Sequence, residues 1–253
     1  MNPDRPLRSL VTGGTAGIGL AIAHALTEDG GHVALLGRDP ARAQRALETW
    51  APADRERVMV LTGDVADDAV RSESLAAAST AFDGLDVLVN NAGATVRGRP
   101  EDCSIADYTR VLEVNLTAAL AMSQLAYPSL KESGRGRVIN IASLTSFFGS
   151  GFSLPYSVSK GGIVQLTKSL ALAWAADGIL VNAIAPGWID TELTAGTRQH
   201  VPTLDQAVVE RTPLSRWGTP TEIGSVAAFL AGPGASFING TVITVDGGYS
   251  AAI

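Results

Sequence analysis

The chain has 253 residues, of which 46% are hydrophobic and 17% charged, and its formal net charge is -6. This is enough to bury one substantial core, so we expect a single domain over residues 1–253. The acidic balance and scattered basic residues argue against nucleic-acid binding. No apolar stretch reaches the ~18 residues of a membrane span, and a single cysteine, Cys103, suits a reducing compartment. We therefore expect a cytoplasmic protein that binds neither nucleic acid nor a membrane.

Short apolar runs alternate with longer segments of helical spacing along the chain. The runs predict strands at 7–12, 33–36, 58–62, 87–90, 138–141, 181–184 and 241–245. The longer segments predict helices at 18–29, 41–50, 68–82, 105–131, 155–177 and 221–230. The strand runs are continuously apolar, as a parallel sheet covered by helices on both faces requires. The pattern predicts an α/β fold with a doubly wound, Rossmann-like sheet.

Residues 187–220 interrupt this alternation. The segment is rich in Thr, Pro and Gly and carries Trp188 and Trp217. Long loops inside compact domains are usually functional. We expect it to form a substrate loop or lid.

A glycine-rich turn follows the first predicted strand, with Gly13, Gly17 and Gly19 spaced G-x-x-x-G-x-G and an extra Gly14. Glycines at such a turn let the backbone and the helix N-terminus approach a pyrophosphate. The position after the first strand favours a dinucleotide site over a merely tight corner.

Tyr156 and Lys160 are spaced i and i+4 in a predicted helix, so they lie on one face. A nearby cation favours phenolate and lowers the pKa of a phenol from about 10. The pair therefore suggests a general acid-base at cellular pH. Ser143 lies upstream of it. The three histidines have no metal-ligand spacing, so we predict no metal.

Six features together resemble the short-chain dehydrogenase/reductase family over nearly the whole chain. They are the glycine-rich turn, the Asn-Asn-Ala-Gly run at 90–93, Asn115, Ser143, Tyr156 with Lys160, and Pro186-Gly187. The resemblance implies about seven strands in the order 3-2-1-4-5-6-7. It also implies that Tyr156 exchanges a proton with the substrate oxygen, that Lys160 lowers the Tyr156 pKa and holds the nicotinamide ribose, and that Ser143 orients the substrate. Asn115 would anchor a water that links Lys160 to solvent.

The resemblance further implies a nicotinamide cofactor. Gly37 occupies the position where members that prefer NAD place an Asp, and Arg38 follows it, an arrangement similar to members that prefer NADP. Ala16 is a feature against NADP, because many of those members have a basic residue at its position. We predict NADP(H) rather than NAD(H). The expected cofactor-binding residues are Gly13, Thr15, Gly17, Ile18, Gly19, Arg38, Asp64, Val65, Asn91, Ala92, Gly93, Tyr156, Lys160, Pro186, Gly187, Ile189 and Thr191.

The sequence predicts the substrate less specifically than the reaction. Thr145, Phe152, Trp188 and Leu193 are expected to line a largely apolar pocket for a small or medium ketone. Phe147 and Phe148 could line it or pack against another subunit. Segments similar to 143–147 also occur in sugar-acid dehydrogenases of the family, whose substrates would need a cation such as Arg97, Arg99 or Arg198.

We therefore predict an NADPH-dependent carbonyl reductase, reversible to an alcohol dehydrogenase. The alternatives are a sugar or sugar-acid dehydrogenase, a 3-oxoacyl-carrier-protein reductase, and a regulator that binds NADPH without turnover. The tail at 239–248 and the long predicted helices resemble the surfaces by which members assemble, which implies a homotetramer.

Overall fold

The computed structural model describes residues 5–28, 30–201 and 203–251. The side chains of residues 193, 197, 199 and 200 lie outside this description. All statements below concern the described part of the chain.

A seven-stranded sheet forms the centre of the molecule. All six pairings between neighbouring strands are parallel, and the strand order is β3-β2-β1-β4-β5-β6-β7. Both features confirm the predicted fold. The strands are β1 (Arg8–Thr12), β2 (His32–Gly37), β3 (Val58–Thr62), β4 (Val87–Asn90), β5 (Arg137–Ile141), β6 (Leu180–Pro186) and β7 (Val242–Val245).

Helices cover both faces of this sheet, as the continuous apolar strands require. Ile22 and Ile223 contribute to the core on the face covered by α1 and α9, and Met122 and Leu170 to the core on the face covered by α5 and α6. The helices are α1 (Gly17–Thr27), α2 (Pro40–Glu48), α3 (Asp68–Phe82), α4 (Ile105–Leu112), α5 (Ala118–Ser133), α6 (Leu154–Trp174), α7 (Glu192–His200), α8 (Leu204–Arg211) and α9 (Pro220–Ala231).

Two segments differ from the sequence prediction. The helix expected over 105–131 is divided by a π-helical turn at Glu113–Thr117, and Asn115 lies buried in that turn. Such turns occur often at functional sites. Residues 187–220 are not one long loop, because α7 and α8 lie within them. Thr191 caps the start of α7, its backbone N–H donating to Thr194 Oγ1 at 2.9 Å.

The parallel arrangement sets the place of the predicted site. The carboxyl ends of β1, β4, β5 and β6 meet at one edge of the sheet, and the glycine-rich turn, the run at 90–93, Ser143 and Pro186-Gly187 follow those strands. In open α/β sheets, ligands bind at this edge, where the strand order reverses. Here the reversal falls between β1 and β4.

Candidate active site

Thr12, at the end of β1, ties the glycine-rich turn to the segment after β4. Its Oγ1 accepts hydrogen bonds from the backbone N–H groups of Asn91 (3.0 Å) and Ala92 (3.1 Å). The Asn91 side-chain amide donates in return to the carbonyls of Thr12 (2.9 Å) and Gly13 (3.0 Å). Asn91 therefore acts in shaping the turn. The sequence prediction did not include Thr12, although its place at the last strand position was a signal.

The glycines of the turn are required by close approach. A Cβ on Gly13, whose φ is +63°, would lie 2.8 Å from Asn91 Nδ2, and one on Gly19 would overlap the Gly13 carbonyl oxygen. Beside the turn is a cleft of about 390 Å³ that Gly13, Thr15, Ala92 and Gly93 line together with the ends of β2 and β3. A cradle of bare backbone opening on a cleft fits a bound dinucleotide.

Four charged residues line this cleft. Arg38 and Asp39 lie between β2 and α2, Arg42 lies in the first turn of α2, and Asp64 follows β3. Burial opposes ionisation of Asp64, but the backbone N–H of Ala66 and the guanidiniums of Arg110 and Arg38 hold the pKa of its carboxyl below the ordinary value. The pKa of Asp39 is also lowered, mainly by the backbone N–H of Arg42, so the walls of the cleft present two guanidiniums and two carboxylates. Arg42 was missed from the sequence, because only the fold shows that the first turn of α2 faces the cleft.

Gly37 lies where a carboxylate would stand in a chain that prefers NAD. A Cβ at this position would overlap the Thr15 side chain, which is itself buried. The packing of Thr15 thus keeps the end of β2 free of a side chain, and Arg38 is the first side chain beyond it.

The predicted catalytic side chains Ser143, Tyr156 and Lys160 meet at the carboxyl end of β5. Lys160 is only 3% exposed, its Nζ donates to the Ile141 carbonyl at 2.6 Å, and it lies 5.6 Å from the centroid of the Tyr156 ring. The Ser143 hydroxyl interacts with the Tyr156 phenol. The structure thus brings together the three groups that the sequence paired only by spacing.

The electrostatics differ from the sequence expectation. Burial raises the pKa of the Tyr156 phenol above its ordinary value, while the Ser143 hydroxyl and the charge of Arg97 lower it. Burial also lowers the pKa of Lys160 to about 8. The charge of Lys160 is not the main influence on the pKa of the Tyr156 phenol, because the Lys160 ammonium donates a hydrogen bond to the Ile141 carbonyl.

Asn115 links the π-turn to the segment after β4 and to α6. Its Oδ1 accepts from the Ala94 N–H at 2.7 Å, and its Nδ2 donates to the Ala94 carbonyl and to Ser159 Oγ, both at 2.9 Å. Ser159 donates in turn to the Tyr156 carbonyl at 2.7 Å. A Cβ on Gly93 would lie 3.6 Å from Asn115 Oδ1 and 3.9 Å from Lys160 Nζ. Asn115 therefore positions the backbone beside Lys160.

Ser146 performs a similar task for Ser143. Its Oγ donates to the Lys160 carbonyl at 2.7 Å and accepts from the Ser143 N–H at 3.2 Å. It thereby joins the turn that carries Ser143 to the helix that carries Lys160. Neither Ser146 nor Ser159 was predicted, although both stand within three residues of a predicted catalytic residue.

The other predicted cofactor residues lie around the same edge. Thr191 stands over the glycine-rich turn, since a Cβ on Gly17 would lie 3.5 Å from its methyl carbon. Gly187 is needed where the chain passes Asp246, because a Cβ there would lie 2.6 Å from the Asp246 Cβ. The apolar members of the set, Ile18, Val65, Pro186 and Ile189, are buried or half-buried, with Ile18 and Ile189 in the core of the α1 face and Val65 in that of the α5 face.

The predicted pocket residues are less closely grouped than the predicted catalytic residues. Thr145 follows Ser143, and its buried Oγ1 has no hydrogen-bond partner among the described residues. Phe152 is 68% exposed, and its carbonyl accepts from the Gly98 N–H at 3.0 Å. Trp188 packs edge-on against Trp217, with ring centroids 5.5 Å apart. Leu193, the remaining predicted pocket residue, lies outside the described side chains, and Phe147 and Phe148 are each half exposed.

Comparison with known proteins gives consistent matches over almost the whole chain. A family model described as enoyl-(acyl carrier protein) reductase matches residues 13–250. A tropinone reductase homolog of Arabidopsis thaliana is 38% identical over 246 residues, 96% of this chain and 91% of the relative. The cis-4-hydroxycyclohexanecarboxylate dehydrogenase of Sinomonas cyclohexanicum is 37% identical over 249 residues, 96% of both chains.

A solved structure from Agrobacterium tumefaciens, described as a 2-deoxy-D-gluconate 3-dehydrogenase with bound NADP, superposes with a TM-score of 0.88. It is 37% identical in sequence, and the match covers 99% of this chain and 100% of that one.

Proposed function

The chain belongs to the short-chain dehydrogenase/reductase family, whose members oxidise alcohols or reduce carbonyl groups, and from this premise we propose that it is an NADPH-dependent carbonyl reductase, reversible to an alcohol dehydrogenase. The observation that carries the proposal is the junction of Ser143, Tyr156 and Lys160 beside the glycine-lined cleft. A proton donor, an orienting hydroxyl and a buried cation at one point are what carbonyl reduction needs from a protein.

The residues around the cleft would hold the cofactor in two parts. The glycine-rich turn and Arg38 would hold the pyrophosphate and the 2'-phosphate, while Lys160 and Thr191 would hold the nicotinamide end. When bound, the cofactor supplies or accepts the hydride. Preference for NADP(H) rests on Arg38, together with the bare end of β2 at Gly37.

The protein's own side chains transfer the proton. Tyr156 Oη donates it to the carbonyl oxygen during reduction and removes it from the hydroxyl during oxidation. Ser143 Oγ donates a hydrogen bond to the same oxygen and stabilises the charge that develops there. When Tyr156 has given up its proton, the Ser143 hydroxyl and the charge of Arg97 favour the phenolate, and the buried cation of Lys160 lies 5.6 Å from the ring centroid. Asn115 would hold a water on the path from Lys160 to solvent.

The proposed substrate is a small or medium ketone with a mainly apolar body. Phe152 offers an exposed ring at the rim of the site, and Thr145 and Trp188 would add a hydroxyl and an indole. A second candidate, a sugar-acid or hydroxy-acid dehydrogenase, is favoured by the relatives named for gluconate and hydroxycyclohexanecarboxylate substrates. Both candidates share the same reacting group and differ in the rest of the substrate.

We propose that the active form is a cytoplasmic homotetramer of single-domain subunits, in which residues 187–220 act as the substrate lid. Leu172 on α6 is 84% exposed and Phe237 is fully exposed in the single chain, which favours assembly through both surfaces. Among the described residues, no helix is both long and apolar enough to cross a membrane. Light scattering that gives the mass of a stable monomer would contradict the tetramer.

The function is tested with purified protein against apolar ketones, diketones and keto-sugars, with NADPH and NADH compared. Turnover should require Tyr156, so Tyr156→Phe should lower kcat at least ~100-fold while NADPH still binds. Tyr127→Phe is the matched control, because that hydroxyl donates to Asp177 just after α6, away from the carboxyl end of β5, and it should retain full turnover. Turnover that survives in Tyr156→Phe would contradict the mechanism.

A further inference from the structure

Arg97 is held at the rim of the active site by anchors on both sides. Asn115 fixes Ala94 through two hydrogen bonds, and the Gly98 N–H donates to the Phe152 carbonyl at 3.0 Å. Both anchors belong to the surroundings of Tyr156, because Asn115 bonds Ser159 on α6 and Phe152 stands just before α6. The segment between the anchors therefore lies near Tyr156, and the charge of Arg97 lowers the pKa of the phenol.

Arg97 is exposed, and it forms no hydrogen bond or ion pair with any residue that the structure describes. The other arginines that the sequence offered as anion-binding candidates are occupied. Arg99 pairs with Glu101 at 2.5 Å. Arg198 pairs with Asp190 and Asp205, both at 2.8 Å, and lies over the Trp217 ring. Of these three arginines, only Arg97 has no ion-pair partner among the described residues, and its charge acts on the Tyr156 phenol.

We propose that Arg97 binds a carboxylate carried by the substrate, so that the physiological substrate is a keto acid or the corresponding hydroxy acid. The guanidinium fork matches a carboxylate in a two-bond arrangement. The carboxylate takes no part in the reaction: the ketone gains a hydride and a proton, and the acid group stays ionised. The inference rests on the proposed function and specifies its substrate class.

The surroundings of Arg97 constrain the rest of the substrate. The same backbone bond joins Gly98, the residue after Arg97, to Phe152, whose side chain is exposed. An exposed apolar residue on the segment paired with that of an unpaired cation suits a molecule with a hydrocarbon body and one anionic end. Arg97 is thus the specificity-determining residue that separates keto acids from neutral ketones.

The experiment compares matched pairs of keto acids and their methyl esters, such as 4-oxopentanoate and 4-oxocyclohexanecarboxylate, in NADPH oxidation. The wild type should favour each acid over its ester at least ~10-fold in kcat/KM. Arg97→Gln should lower kcat/KM for the acids ~10- to 100-fold, mainly through KM, since a charge-assisted hydrogen bond is worth about 1.5–3 kcal/mol. It should change the esters less than ~3-fold, and Arg97→Lys should restore part of the loss.

Arg99→Gln is the control, because Arg99 lies on the same segment but is paired with Glu101, and it should leave the acid-to-ester ratio unchanged. Equal turnover of acids and esters, or equal losses for both in Arg97→Gln, would overturn the carboxylate assignment and leave the carbonyl reductase standing. No turnover of any ketone with either cofactor would contradict the proposed function itself. Titration calorimetry would then measure keto-acid binding independently of turnover. Equal affinity in the wild type and Arg97→Gln would overturn the role of Arg97.

Discussion

At the scale of single residues, Lys160 shows what burial does to a side chain predicted for catalysis. Its spacing from Tyr156 predicts a cation beside the phenol, and the structure places both at one point. Burial adds a second effect, since it lowers the pKa of Lys160 from 10.5 to about 8. The protein therefore keeps a titratable lysine near neutral pH, where it can exchange protons with solvent during turnover.

This lowered pKa predicts a pH dependence of stability. Between pH 8 and 10.5 the unfolded chain retains the lysine proton and the folded protein has lost it, so the free energy of unfolding rises with pH in this window. The unfavourable contribution of Lys160 is fully present below pH 8. The shift from 10.5 to about 8 corresponds to a gain of ~3 kcal/mol across the window.

Urea unfolding of the wild type and Lys160→Met from pH 7 to pH 10.5 measures this gain. Subtracting the variant removes the contribution of every other titrating group. The wild type should gain ~1–3 kcal/mol relative to Lys160→Met as the pH rises. A difference that stays constant with pH would show that Lys160 keeps the same pKa in the folded and unfolded protein.

At the scale of elements, two helices face each other across the cofactor cleft. Arg42 on the first turn of α2 pairs with Glu192 at the start of α7, with Arg42 Nη2 2.9 Å from Glu192 Oε2. Both side chains are substantially exposed, so the pair contributes at most about 1 kcal/mol. Its importance is positional, because Glu192 competes for a guanidinium that could otherwise join Arg38 in binding a 2'-phosphate.

Glu192→Gln should therefore tighten NADPH binding. Without the carboxylate, Arg42 is free for the 2'-phosphate, and we expect NADPH affinity to rise ~2- to 5-fold while NADH affinity stays unchanged. Arg38→Ala should act in the opposite direction and weaken NADPH far more than NADH. Fluorescence titration of both cofactors measures these affinities.

Glu210→Gln removes the same charge from α8, where Glu210 accepts a hydrogen bond from Gln206, and serves as the control. It should leave both affinities unchanged. An equal rise for NADPH and NADH in Glu192→Gln would remove Arg42 from the 2'-phosphate site.

Most elements were predictable from their apolar pattern. The seven strands match within two residues at each end, because continuous apolar runs have no other stable place than a covered sheet. The helices α7 and α8 were not predicted, since α7 contains Thr and Gly and α8 is only 8 residues long and lies within a segment rich in Thr, Pro and Gly. They are held by tertiary contacts such as the burial of Val208 and the ion pairs of Arg198. The π-turn at Asn115 likewise had no local signal.

At the scale of the whole molecule, stability and chemistry are placed at opposite edges of the sheet. Asp86, just before β4, is fully buried. Its carboxylate accepts hydrogen bonds from Arg8 at 2.9 and 3.0 Å and from Arg5 and Arg135. The cluster therefore joins the amino-terminal ends of β1, β4 and β5. Burial opposes ionisation of Asp86, but the hydrogen bonds from Arg8 and Arg135 hold its pKa below the ordinary value.

Asp86→Ala should lower the free energy of unfolding by about 3–5 kcal/mol, because it leaves Arg8 buried without its partner. The kcat of the protein that remains folded should not change, since the active site lies at the other edge. Urea unfolding and steady-state kinetics on the same preparation test both statements. Asp54→Ala, which breaks a surface pair with Arg57, should cost less than ~1 kcal/mol. Equal losses in the two variants would show that the Asp86 cluster does not hold the strands together.

The sheet, its parallel character and the family of the reaction could all be predicted before the fold was known. These follow from apolar periodicity and from motifs whose members lie close together along the chain, such as Tyr156 and Lys160. Which distant groups come together depended on the folded chain: Arg42 pairs with Glu192, Asn115 bonds Ala94 and Ser159, and the charge of Arg97 acts on Tyr156. The reason is physical, since local spacing fixes which face of an element a side chain takes, whereas burial and pairing depend on elements far away in the chain.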